Sequence, residues 1–364
     1  MSYLPTMSKS PAPSSDQSDA ARFAEADRFG REILPSVSRT FALSIRVLPG
    51  HLGRSVLSAY LLCRIADTLE DEPHLPAEEK AKLLDSLSEC FESAEDADAF
   101  PARVTDIRGE PAHVRLTQNA DLVFVLYRSL PAGTQVHVRR WVREMIMGMR
   151  KFVLLYPDGI RIQNLDEYKE YCYYVAGTVG YLLTDLWHEH VPSIGDGQYR
   201  KLRERCRAFA EALQTVNILK DVATDAEREN SIYIPEDLLE QHGSSHAALL
   251  APDGLRGTRE ALATLVELAW QDLELARGYL LLIPRRAVSI RLFCVLPLLF
   301  AYATLRDLTR TPQTLARREV VKISRGEVKS LTIVGFIVIM SNRGLAWLAD
   351  RAMRRPFELK VLDG

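Results

Sequence analysis

The segments Asp67-Thr68-Leu69-Glu70-Asp71 and Asp221-Val222-Ala223-Thr224-Asp225 each set two aspartates four residues apart in an otherwise apolar stretch. At that spacing both carboxylates leave the same face of a helix, one turn apart. Like charges stacked this way repel, so a helix that serves packing alone gains nothing from them. Two such helices facing each other would form a dense set of hard oxygen ligands. That set suits Mg²⁺ and, through it, a diphosphate. Either pair alone is also the pattern of a solvated helix face, so the flanking residues decide.

The flanks extend each pair into a stripe. Tyr60, Arg64, Asp67 and Asp71 fall at i, i+4, i+7 and i+11. An arginine one turn before a carboxylate is either a satisfied ion pair or a neutraliser for a phosphate held by a metal from the other side. Gln214, Asn217, Asp221 and Asp225 repeat the arrangement, with Asn217 adding a neutral oxygen ligand. The neighbours Leu213, Val216, Ile218, Leu219 and Val222 are apolar, so this stripe is expected to face an interior cleft or a lid rather than open solvent. Between the two lies Tyr171-Cys172-Tyr173-Tyr174-Val175-Ala176-Gly177-Thr178-Val179-Gly180. Glycines in a helical pattern cost about 1 kcal/mol each relative to alanine. Here they mark either close helix packing or a kink beside an apolar substrate.

The elements that must position these residues read as helices. Apolar residues recur at helical spacing over about 21–34, 51–71, 77–93, 112–130, 134–155, 165–190, 197–226, 255–282, 286–309 and 322–353, with no convincing period-two strand pattern. No repeat and no linker divides the chain, so a single all-α domain over 21–356 is expected, between a disordered tail at 1–20 and a short tail at 357–364. The 364 residues carry a net charge of −2 without a basic arm, which disfavours nucleic acid as a partner. The five cysteines form no C-x-x-C pair and fit reduced thiols in a cytoplasmic protein, not a zinc site or a disulfide frame. The start lacks the apolar core of a signal peptide. The stretch Leu331 to Met340 is too short to span a bilayer, and Val288 to Ala303 is interrupted by Arg291 and Pro297. The basic residues Arg343, Arg351, Arg354 and Arg355 after Leu331–Met340 fit either a core helix with a basic end or peripheral membrane contact. A monomer is expected.

Ser38-Arg39-Thr40-Phe41, the Tyr60–Asp71 stripe, the 171–180 segment and Asn217-Ile218-Leu219-Lys220-Asp221 together resemble the squalene and phytoene synthase family, in order and spacing, over nearly the whole chain after the tail. The resemblance implies the all-α isoprenoid synthase fold, a helical bundle around a central apolar cavity. It implies two molecules of farnesyl diphosphate as substrate, and Mg²⁺ held by Asp67, Glu70, Asp71, Asn217, Asp221 and Asp225. It further implies diphosphate contacts from Ser38, Arg39, Tyr60, Arg64, Gln214 and Asn217. Tyr171 would assist proton transfer or steady a carbocation, with the departing diphosphate as the alternative base. Asp-Thr-Leu-Glu-Asp is the squalene-type first motif. Phe293–Pro297 with Val321–Gly326 resembles a region that squalene synthases use around NADPH, so Phe293, Lys322 and Arg325, with Arg39, Arg64 and Lys220, are expected at the cofactor. No G-x-G-x-x-G follows a strand, so NADPH would enter the prenyl cavity itself.

Three positions depart from the pattern. Thr224 stands where eukaryotic squalene synthases usually have an acidic residue, Lys220 where an arginine is frequent, and Ser324 where a basic residue is expected. The expected activity is head-to-head condensation through presqualene diphosphate, then NADPH-dependent reduction to squalene. The alternatives are a phytoene, dehydrosqualene or presqualene diphosphate synthase without reduction, or a non-catalytic assembly factor of the same fold.

Overall fold

The computed structural model describes residues 15–228, 230–310 and 321–357. Residues 1–14 and 358–364 of the two expected tails lie outside the described residues. The first helix, α1 (Ser15–Val37), begins inside the segment read as tail. The all-helical expectation holds: the described residues form sixteen α-helices in all, α1 included, and one π-turn, with no strand among them.

The chain continues through α2 (Arg39–Arg46), α3 (Gly50–Glu70), α4 (Ala77–Glu89), α5 (Ala94–Arg103), α6 (Pro111–Thr117), α7 (Ala120–Arg128) and α8 (Ala132–Leu155). After α9 (Leu165–Cys172) comes a π-turn (Tyr173–Gly177), then α10 (Thr178–His190), the long α11 (Asp196–Arg228), α12 (Glu236–Gln241) and α13 (Leu255–Leu282). The chain closes with α14 (Val288–Arg310), α15 (Arg325–Val338) and α16 (Asn342–Arg354).

Local chemistry sets several boundaries. Ser38, Ser93, Asn164, Ser324 and Ser341 each accept a hydrogen bond from a backbone N–H of the first turn that follows. Gly50 starts α3 at φ +53°, which a residue with a side chain rarely adopts. The expected helix over 112–130 is broken at Gln118-Asn119, and that over 322–353 at Ile339–Ser341, where Ser341 caps a new helix. The short helices α2, α5 and α12 had no long apolar period to announce them.

Close approach explains both glycines of the 171–180 segment. A Cβ on Gly180 would stand 2.2 Å from the Cys206 carbonyl oxygen, so α10 packs directly on the backbone of α11. At Gly177 it would stand 2.9 Å from Glu211 Oε1. The π-turn adds the kink, so packing and distortion coexist. Helix α14 is long and apolar enough to cross a membrane by length and composition, yet 78% of that window is buried inside the bundle. Two of its three arginines, Arg291 and Arg306, are buried too. Arg306 pairs with Glu327 on α15 at 2.8 Å, and Arg291 donates to the carbonyls of Ile283 and Ile339.

Candidate active site

Helix α3 presents Tyr60, Arg64 and Asp67, and α11 presents Gln214 and Asn217, to a single cavity of about 190 Å³. The first part of each stripe therefore borders one space, whereas Glu70, Asp71, Asp221 and Asp225 lie outside its wall. The rest of the wall is apolar, from Phe41 on α2, Met145 on α8, Val175 in the π-turn, and Phe293 and Pro297 on α14. The volume is below the roughly 300–1,000 Å³ of ligand pockets. A long apolar chain therefore requires the wall to move.

The charged groups are loosely held. Arg64 Nη1 lies 3.4 Å from Asp67 Oδ2, and Nη2 donates to the Tyr60 hydroxyl at 3.4 Å. Its Nε is buried without a hydrogen-bond partner. Burial opposes the charge on Arg64, but Asp67, Tyr60 and Asp71 outweigh it and keep the guanidinium protonated. Burial pushes the Asp67 carboxyl above its ordinary range, against Arg64 and His113. Across the cavity, Lys220 Nζ lies 3.0 Å from Asp221 and donates to Asn217 Oδ1 at 3.4 Å.

Beyond the cavity, the two clusters converge on a pair of tyrosines. Ile232 N donates to the Ile160 carbonyl at 2.8 Å and Ile162 N to the Ile232 carbonyl at 3.2 Å, which fixes the stretch after α11 against the one before α9. Gly159 has to be glycine here, because at φ +103° its Cβ would strike the Asn230 carbonyl. This tie stacks Tyr233 on Tyr171, centroids 4.9 Å apart, with Phe152 edge-on to Tyr171 at 5.1 Å. Burial pushes both hydroxyls well above the ordinary phenol range. Glu70 and Asp71 push both further, and Asp225 adds to Tyr233. Both phenols therefore stay protonated and act as donors, not bases.

Several expectations need correction. The Ser38 hydroxyl accepts from Phe41 N at 3.2 Å, so it caps α2 and does not line the cavity. Tyr171 is 3% exposed and lies beside the acidic cluster, outside the cavity wall. Phe293 is in the wall, but Lys322 and Arg325 are exposed and absent from it. Arg39 opens α2, and its side chain lies outside the description. Tyr233 was missed. Its signal was the short Ser231-Ile232-Tyr233-Ile234-Pro235 alternation, too brief to register as extended chain. All five cysteines are free and buried, and burial raises the Cys63 thiol in the cavity wall.

The donor chemistry at the wall is hard oxygen, the Asp67 carboxylate from α3 and the Gln214 and Asn217 amides from α11, with Asp67 under-compensated by its neighbours, and it fits a hard divalent cation. Among the described residues, no three His, Cys, Asp or Glu side chains stand close enough to hold a metal ion together. Asp67 and Asp221 are turned to Arg64 and Lys220. For NADPH the fit is partial, since Arg64 and Phe293 border the cavity and the basic pair after residue 321 does not.

A helical bundle with two acidic helices across an apolar cavity has the isoprenoid synthase fold. The squalene/phytoene synthase family model matches residues 34–327, and the chain belongs to that family. It is 26% identical over 304 residues to squalene synthase of Schizosaccharomyces pombe, a match covering 83% of this chain and 63% of that protein. Squalene synthase 1 of Arabidopsis thaliana is 26% identical over 305 residues, covering 82% and 68%. The chain thus spans about three fifths to two thirds of the length of these relatives. Among solved structures, TcSQS in complex with the ligand BPH1237 shares the fold at TM-score 0.75, with 22% identity and coverage of 91% of this chain and 98% of that one. A dehydrosqualene synthase in complex with a ligand follows at TM-score 0.56, 20% identity, and 92% and 97% coverage.

Proposed function

We propose that the protein is a prenyltransferase that joins two farnesyl diphosphates head to head through presqualene diphosphate and, with NADPH, yields squalene. The observation that carries this reading is the meeting of Arg64 and Asp67 on α3 with Gln214 and Asn217 on α11 across one largely apolar cavity. Family membership and the squalene synthases among the relatives support it.

Asp67, Glu70, Asp71, Asn217, Asp221 and Asp225 would hold magnesium. When bound, magnesium supplies charge neutralisation at the leaving diphosphate and NADPH supplies hydride. Arg64 is placed to take a diphosphate oxygen on its unpartnered Nε as the allylic C–O bond breaks and the electron pair leaves with the diphosphate. The cavity wall excludes water from the resulting cation, so the double bond of the second chain attacks it instead. Tyr171 and Tyr233, held protonated beside the acidic cluster, are poor candidates to remove the proton whose loss closes the cyclopropane. That task falls to the departing diphosphate.

A second reading, condensation without reduction, is favoured by the exposure of Lys322 and Arg325 away from the cavity. The test is purified protein with farnesyl diphosphate and Mg²⁺, with and without NADPH, followed by hydrocarbon analysis. Squalene that depends on NADPH supports the first reading. Presqualene diphosphate or dehydrosqualene in both conditions selects the second. No condensation product overturns both.

A further inference from the structure

A second cavity, of about 440 Å³, opens where α1, α2 and α3 meet. Its volume falls within the roughly 300–1,000 Å³ of ligand pockets, which the catalytic cavity does not reach. Four of its lining residues, Leu34, Ile45, Leu48 and Leu57, are apolar and buried, and they form its floor. Arg31 and Arg46 are exposed and Arg54 is partly so, which puts the charge at the mouth. None of these arginines takes part in the reaction proposed above.

A tight turn sets this arrangement. Gly50 takes φ +53°, and a Cβ on Gly53 would stand 2.5 Å from the Leu48 carbonyl oxygen. The turn brings Arg46, the last residue of α2, to the same cavity as Arg54 near the start of α3. Asp27, the one acid among the lining residues, takes Arg31 on both oxygens, at 2.8 and 3.2 Å. Arg54 lies 3.1 Å from His51 Nδ1, with its guanidinium 5.9 Å from the Phe23 ring centroid. Arg46 and Arg54 are therefore left without a carboxylate partner among the described residues. Pro49 offers α3 no side-chain cap, so the helix start adds positive partial charge at Gly50, which lines the same cavity. Two guanidiniums without a counter-ion at one mouth gain from an anion between them.

We propose that this cavity is a second binding site, for a soluble amphiphile with one apolar chain and a phosphate monoester head. The chain lies on the floor of Leu34, Ile45, Leu48 and Leu57, and Arg46 and Arg54 take the phosphate oxygens. Charge and shape select this head: a planar guanidinium matches phosphate bidentately, and a dianion meets two uncompensated cations where a carboxylate meets one. Ile45 also lines the catalytic cavity, so the chain rests one side chain away from it. The site is nonetheless distinct, because Arg64 and Asp67 border the catalytic cavity alone. It stands whether or not the catalytic reading holds.

The test is calorimetric titration of the full chain with octyl phosphate, below its micellar range, in EDTA and at about pH 8, where the head is a dianion. Octyl phosphate should bind at least about tenfold tighter than octanol, which lacks the charge, or ethyl phosphate, which lacks the chain. The double Arg46→Gln/Arg54→Gln should weaken binding about tenfold or more, and Arg46→Gln alone, at an exposed position that the fold tolerates, about threefold. The binding lost in these variants should persist in Arg64→Gln. No binding overturns the proposal, as does equal binding of octanol or ethyl phosphate, or binding unchanged in Arg46→Gln. Loss in Arg64→Gln would overturn it by placing the ligand in the catalytic cavity. Co-sedimentation with phosphatidylglycerol vesicles that the double variant abolishes would also overturn it, by making these arginines a lipid-headgroup contact.

Discussion

Arg64 is the residue on which the site's chemistry turns. Its guanidinium is held charged and buried, bonded at 3.4 Å to Asp67 and Tyr60, with Nε left over. A planar fork with a spare donor suits a diphosphate better than it suits closing a salt bridge. Tyr171, by contrast, is suited to donating a hydrogen bond. Burial and the Glu70 carboxylate keep its hydroxyl protonated, so it cannot serve as a base near neutral pH. Tyr171→Phe should therefore lower turnover by about tenfold, as loss of one hydrogen-bond donor, while the pH–rate profile keeps the same limbs. A missing basic limb in the variant would show that the hydroxyl does titrate in turnover. The stripes were legible because a spacing of three or four residues fixes a helix face whatever the tertiary structure. Tyr233 was not, because it reaches Tyr171 through contacts between residues some 70 positions apart in sequence (Ile162 with Ile232, for example) that no local period encodes.

At the level of elements, the meeting of α10 and α11 decides how far apart the cavity walls stand. Gly180 lets α10 rest on the Cys206 carbonyl, and that backbone cannot retreat as a side chain can. Gly180→Ala should destabilise the protein by about 1–3 kcal/mol in chemical denaturation. At Gly177 the nearest neighbour is the tip of Glu211, so that contact is easier to relieve. Equal stability of Gly180→Ala and wild type would mean that the helices are free to separate. Most helices were readable from their periods, including all four long ones that wall the cavity. The exceptions share one cause: α2, α5 and α12 run ten residues or fewer, too short for a period to emerge from noise. Ser38 shows the opposite error, since a cap at the start of α2 looks in sequence like a ligand.

For the whole molecule, the half-buried carboxylates on the far side of α11 shape stability against pH. Burial pushes Glu211 up to about 7, with Arg207 opposing and Asp272 adding, and burial pushes Asp272 to about 6. The unfolded chain releases the Glu211 proton near its ordinary 4.5 and the folded protein near 7, so stability falls as pH rises through that window and levels above it. Glu211→Gln should flatten this slope and leave the variant about 1–3 kcal/mol less pH-sensitive between those limits. Melting curves across the range would check it, and an unchanged slope would assign the effect elsewhere. Fold and family were open to a sequence reader because four motifs fall in register along one chain. The chemistry past the first ionisation was not, because chain length and reduction depend on how the narrow cavity opens.

The central claim, that the two acidic stripes act as one diphosphate centre, is tested most directly by diphosphate release from farnesyl diphosphate as Mg²⁺ is titrated. Wild type, Asp67→Asn and Asp221→Asn would be compared at equal folded fraction. Each single variant should lower the Mg²⁺-dependent rate by about a hundredfold or more, and the double variant should fall little further, because either loss breaks the same site. Wild-type rates in either single variant, or losses that simply multiply in the double, would contradict a shared centre.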